Sequence, residues 1–249
     1  MKNLFIALLL MVPTVIFSQN SNGSGLLQNK MPQTIENRPD LPVCMLCPVG
    51  SLFSNLPYLN FGAGISDDQR CFTCYDNFNN VSSPFNTIVF WGFDITYTYD
   101  YVGCIPDAAK EFEIVFYQNN AGAVGNPVAT YLVTPLKEFC VTSSFYDNAP
   151  LFKYEVSLDA PVDLSEGWIS IRAVGGTDDC WFAWDIASSG DQQMWQKCDD
   201  LFNYYALDLA FCLTNKDNTF TTIPLANWAL MIGILLIAFI TVFRFRKVS

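Results

Sequence analysis

The chain has 249 residues, 51% of them hydrophobic and 15% charged, with a formal net charge of −11 and no histidine. The missing imidazole excludes Ser-His-Asp and Cys-His nucleophile systems and His-based zinc hydrolysis. All 24 acidic residues fall between Glu36 and Asp217, a balance that repels nucleic acid and leaves no nucleic-acid partner to expect.

Residues 1–18 read as a signal peptide. Lys2 gives a positive start, residues 4–17 an apolar stretch, and Ile16-Phe17-Ser18 a cleavage site that ends on a small residue. Residues 19–60 are rich in Asn, Gln, Gly, Ser and Pro without a sustained period, which predicts an exposed leader that carries cysteines.

Cys44-Met-Leu-Cys47 and Cys71-Phe-Thr-Cys74 form a CxxC pair of the spacing used by zinc ribbons. Export shifts the expectation to disulfides, because oxidising compartments favour them. Pro42, Pro48 and Gly50 argue against the strand and helix that a thioredoxin-type motif needs. The nine cysteines are Cys44, Cys47, Cys71, Cys74, Cys104, Cys140, Cys180, Cys198 and Cys212, an odd number. A Cys180–Cys198 bridge is expected to close the loop between them, with the unpaired thiol either buried or used between chains.

Over residues 61–214 the period changes to two. In residues 111–117 Phe112, Ile114 and Phe116 alternate with charged or polar neighbours, and 152–158 and 168–173 behave alike. Residues 87–93 are a continuous apolar run of strand length; 129–133, 181–186 and 206–213 are further candidates. Turn chemistry separates them at Asn119–Gly122, Gly125-Asn-Pro127, Ser165-Glu-Gly167 and Gly175–Asp178. Strands at this spacing, without a helical period, predict an all-β antiparallel sandwich of jelly-roll type.

Aromatic side chains supply the binding candidates. Trp181 and Trp184 lie three apart and so point to opposite faces of a strand, placing one toward solvent. With Trp195 and the Tyr99/Tyr101 loop they suit sugar rings, held by stacking beside amide and acidic groups; packing in the core is the alternative for each tryptophan. Asp178, Asp179 and Asp185 begin an acidic stretch whose oxygens suit calcium or a glycosidase carboxylate pair, against the plainer role of solvated loop acids. No other cofactor is expected, and the chain reads as a non-enzyme, with glycoside hydrolysis as the alternative.

After a linker at 215–222 comes the last segment, 223–249. Residues 225–243 are nineteen residues with Asn227 as the one notable polar interruption, long enough to cross a bilayer core of about 30 Å as a helix. Trp228 suits one interface, and Arg244, Arg246 and Lys247 stay on the cytoplasmic side, so the preceding chain faces outward.

The order of Ile223-Pro224-Leu225, Trp228, an apolar helix and a basic end resembles the C-terminal sorting signals of bacterial surface proteins, the PEP-CTERM and IPTL-CTERM group. Leu225 and Asn227 stand where an IPTL-type motif has Thr and an acidic residue. The resemblance implies recognition by a membrane-embedded, sortase-like processing enzyme. A second resemblance covers residues 77–213. Phe90-Trp91-Gly92, Val115-Phe-Tyr117, the run from Ala160 to Ile171, Trp181-x-x-Trp184 and Asp208-Leu-Ala-Phe211 are similar to an exported bacterial module; this implies a sandwich fold and no particular reaction. The expectation is therefore a cell-surface binding or interaction domain, single-pass until processed, whose partners are the membrane and a surface glycan or protein.

Overall fold

The computed structural model describes residues 26–28, 41–59, 61–106, 108–143, 146–176 and 179–216. The expected signal peptide, the leader up to residue 40 except 26–28, and the tail from 217 onward, including Ile223, Pro224, Leu225, Trp228, Arg244, Arg246 and Lys247, lie outside the described residues.

The strands are β1 (Leu26–Gln28), β2 (Phe53–Asn55), β3 (Gly62–Ile65), β4 (Phe72–Phe78), β5 (Phe85–Tyr97), β6 (Tyr101–Gly103), β7 (Glu111–Asn120), β8 (Ala123–Val133), β9 (Leu136–Thr142), β10 (Pro150–Val162), β11 (Gly167–Val174), β12 (Trp181–Asp185), β13 (Met194–Cys198), β14 (Leu201–Tyr205) and β15 (Phe211–Thr214). Helix among the described residues is limited to two 3-10 turns, Val43–Met45 and Asp68–Arg70. None of these helices is long and apolar enough to cross a membrane.

Two antiparallel sheets pack face to face, as the alternating strands predict. The first runs β1-β3-β12-β5-β10-β9, with β15 also joined to β5 and β2; the second runs β14-β13-β4-β11-β7-β8. Pairings nest inward, β3 with β12, β4 with β11, β5 with β10 and β7 with β8, alternating between the sheets. Between the sheets lies a core that includes Phe90, Phe112, Tyr154, Phe182, Trp184 and Phe211. Its rings meet mostly edge to face, as Phe112 and Phe182 do at 4.9 Å between centroids, the arrangement their quadrupoles favour.

The first sheet is covered on its outer face as well. Met45, Ala63, Val89, Trp91, Leu151 and Ala210 belong to a second buried cluster there, packed against by Leu41, Cys44, Cys47, Cys140, Val141 and Tyr146. The indole N–H of Trp91 donates to the Cys44 carbonyl at 2.8 Å. Burial on both faces explains why residues 87–93 are continuously apolar, whereas β7 alternates because one of its faces meets solvent.

This cover corrects the leader boundary. Composition placed the domain start at residue 61, yet Met45 is fully buried and Phe53–Asn55 is a strand paired with β15. Short polar segments carry no periodic signal, so their docking is invisible in the sequence. Two further expectations are corrected. The strand expected at 206–213 begins only at Phe211, and Gly125-Asn-Pro127 lies within β8, where the pairing with β7 slips through a bulge rather than turning.

Eight of the nine cysteines form four disulfides: Cys44–Cys140, Cys47–Cys212, Cys71–Cys198 and Cys104–Cys180. The expected Cys180–Cys198 bridge is absent because the two residues belong to different sheets, Cys198 ending β13 and Cys180 preceding β12. Each CxxC pair is likewise split. Cys74 is the free thiol, buried between the sheets.

Candidate functional site

The five aromatic candidates do not converge. Trp181 and Trp184 do point to opposite faces, but both are buried, at 6% and 0% exposure. Trp184 donates its indole N–H to the Ala210 carbonyl at 2.9 Å, and Trp181 lies under the Arg70 guanidinium, 4.2 Å from its ring centroid. The expectation of one solvent-facing ring fails because the outer face of this sheet has its own cover. Tyr99 is fully exposed, while Tyr101 is half-buried and 5.2 Å from Tyr97, at the β5–β6 hairpin. Trp195 stands apart from all of these on the second sheet.

Trp195 is the centre of an aromatic row on that sheet's outer face. Side chains directly opposite one another across antiparallel strands share a face. Trp195 faces Tyr204 on β14 and Tyr75 on β4, and Tyr75 in turn faces Ser170 on β11. Ring centroids run from Tyr204 to Trp195 at 5.3 Å, Trp195 to Phe202 at 6.3 Å, Phe202 to Tyr75 at 5.9 Å and Tyr75 to Tyr117 at 5.6 Å. The end toward Tyr204 and Phe202 is open, at 51% and 47% exposure, while Tyr75 is buried.

Polar groups border the rings. Arg172 holds Glu113 at 2.7 Å, Lys197 lies 5.2 Å from the Phe202 ring centroid, and the Tyr117 and Ser170 hydroxyls are 3.3 Å apart. Trp168, opposite Tyr117 in register, is fully buried, and neither its indole N–H nor the Arg172 Nε has a hydrogen-bond partner. Burial pushes the Tyr75 and Tyr117 phenols above their ordinary range, so both remain neutral donors at physiological pH. An apolar platform with donors and a carboxylate at its margin can hold a flat ring that carries hydroxyls.

Sequence reasoning found Trp195 but missed Tyr75, Tyr117 and Phe202. The available signal was aromatic residues at solvent-face positions of strands, which becomes visible only once the strands are paired.

The acidic candidates scatter. Asp179 is exposed, at a bend two residues before β12, and Asp185 is buried at that strand's end. The strand between them is roughly 13 Å long at about 3.3 Å per residue, too far for the two to share one ion; Asp178 lies outside the described residues. The grouping at ligand distance among the described residues, Cys71, Cys198 and Asp199, has both sulfurs in a disulfide, which leaves no thiolate to offer.

A different set of acids does meet. Asp76 accepts backbone N–H bonds from Asn77 and Leu209 at 2.9 and 2.7 Å, and Asp208 accepts from Asp191 and Gln192 at 3.0 and 2.9 Å. Burial raises both carboxyls above the usual range, with mutual repulsion adding to the rise in Asp76. Asp208 borders a hollow of about 200 Å³ with Tyr58, Phe61 and Gln192. The two carboxyls serve backbone donors, which is a structural role: they fix the chain from Asp191 to Leu209 against β4.

No protein-family model, curated protein or solved structure matches this chain.

Proposed function

We propose that this is an exported bacterial cell-surface protein whose disulfide-stabilised, jelly-roll-like sandwich serves as a binding domain, held at the membrane by its C-terminal segment until that segment is processed. The nested pairing that alternates between sheets supports the jelly-roll topology. The observation that carries the export reading is the pairing of eight cysteines, across separations of 76 to 165 residues, in one folded unit. Such bridges persist in oxidising compartments. The sequences of residues 1–18 and 223–249 support passage across the membrane and retention in it.

Cell fractionation with intact-mass measurement tests this reading. The expected protein is in the envelope fraction, begins at Gln19 and has lost eight protons to disulfides. A cytosolic protein with an intact N-terminus would overturn it.

The row around Trp195 favours a surface glycan as ligand over a protein. Trp195→Ala and Tyr204→Ala should each weaken binding to a responsive polysaccharide about tenfold or more while the fold survives, since both side chains reach solvent. Glycan arrays probed with the wild-type domain and both variants measure this; equal binding by all three would remove the row from recognition.

A further inference from the structure

The outer face of the first sheet carries three apolar side chains that the fold leaves in water. Val43, Leu46 and Val49 are 84%, 42% and 105% exposed. The backbone beneath them is pinned by the Cys44–Cys140 and Cys47–Cys212 disulfides, and Met45, between them, already fills the place below. They cannot turn inward. Beside them runs a groove of about 540 Å³ whose other wall includes Lys153, Glu155 and Lys216.

Lys216 is also where the described chain ends, and its position is fixed. Its N–H donates to the Asn86 side-chain oxygen at 2.9 Å, and its carbonyl accepts from the Asn86 amide at 3.1 Å. Residues 217–224 alone separate it from Leu225, the start of the apolar run. Fully extended, that connection spans at most about 30 Å. A helix that enters the bilayer at Leu225 therefore keeps the groove and its apolar loop within that distance of the headgroups.

We infer that this loop and groove form a membrane-docking face, with Val43, Leu46 and Val49 inserted at the headgroup level of the bilayer that holds the tail. The inference rests on the membrane-spanning reading of residues 225–243. Apolar side chains on a backbone fixed by two disulfides lose little freedom on insertion, which favours a lipid surface. The groove is not strongly basic, since Lys216 pairs with Glu155 at 2.6 Å, so docking depends on apolar contact and not on anionic lipid. The aromatic row, on the outer face of the opposite sheet, then points away from the membrane.

The test is photolabelling of the full-length protein in phosphatidylcholine vesicles that contain a diazirine-tailed lipid, read residue by residue by mass spectrometry. Label is expected within 225–243 and at Val43 to Val49, and not at Phe202 or Tyr204. A Val43→Asp/Val49→Asp variant should lose about tenfold of the loop label and keep the tail label, with its four disulfides confirmed by mass. Label in the tail with none on the loop overturns the docking face alone, whether the loop is covered by residues 217–224, by a second copy or by nothing. Absence of label from 225–243 overturns the membrane-spanning reading, and the docking face with it.

Discussion

Asp76 and Asp185 are fully buried carboxyls, and burial raises both well above the usual 3.8; Asp67 and Asp208 move the same way for the same first cause. A carboxyl with a raised folded-state value binds its proton more tightly folded than unfolded. Its contribution is thus fully present below the unfolded value and is lost as pH rises through the folded one. The melting temperature should accordingly rise as pH is lowered from neutral toward 3.8, the reverse of ordinary acid denaturation. Asp185→Asn isolates one group. One of its side-chain oxygens has no partner, so the amide forfeits little there and avoids ionisation. Calorimetry should show a higher melting temperature than wild type at neutral pH, with the gain vanishing on acidification. In the sequence Asp185 is a calcium candidate because it lies in an acid-rich stretch; its burial, with Tyr146 close by, depends on docking that no local pattern encodes.

Among the strands, β5 shows how tightly neighbours within one sheet can meet, here against β12. A Cβ on Gly92 would stand 2.6 Å from the Ala183 carbonyl oxygen and closer still to the Phe182 ring. Gly92→Ala should therefore cost about 1–3 kcal/mol through overpacking, measured as a lower urea midpoint at unchanged slope. The strands β7 and β10 were legible because one face is wetter than the other, so composition alternates along them, and β11 because Ser170 and Arg172 interrupt its apolar residues although hardly any of it meets solvent. β13 and β14 were not. Each has five residues, and between them lies Asp199-Asp200, a turn with Asp199 at φ 53° that reads in sequence as loop acids. That hairpin carries Trp195, Phe202 and Tyr204, so the candidate site was legible in one residue and hidden in its neighbours.

Nested pairing places most contacts far apart in sequence, as in the joining of β3 with β12 and of β4 with β11. Folds of this kind close slowly, because each long loop must be ordered before its pairing stabilises anything. Four disulfides offset part of that entropy, each worth about 2–5 kcal/mol. Alkylation without reduction should leave the native protein unlabelled and label one thiol, Cys74, after denaturation, because burial both shields that thiol and pushes its pKa up to about 12; two or more labelled sites in the mass spectrum would contradict the pairing. That an all-β, disulfide-bonded unit would form was legible from alternation and cysteine count. Which cysteines meet was not, since eight allow 105 pairings and the sheets decide among them. The Cys47–Cys212 bond has a mechanical meaning as well. Tension on the tail enters at Lys216 and reaches β15, which is hydrogen-bonded between β2 and β5. Only residues 213–216 can peel before the load meets Cys212, passes through sulfur to Cys47, and from nearby Cys44 crosses to Cys140. In the tethered binding protein we propose, drag on a ligand would thus load covalent bonds across the first sheet before its hydrogen bonds.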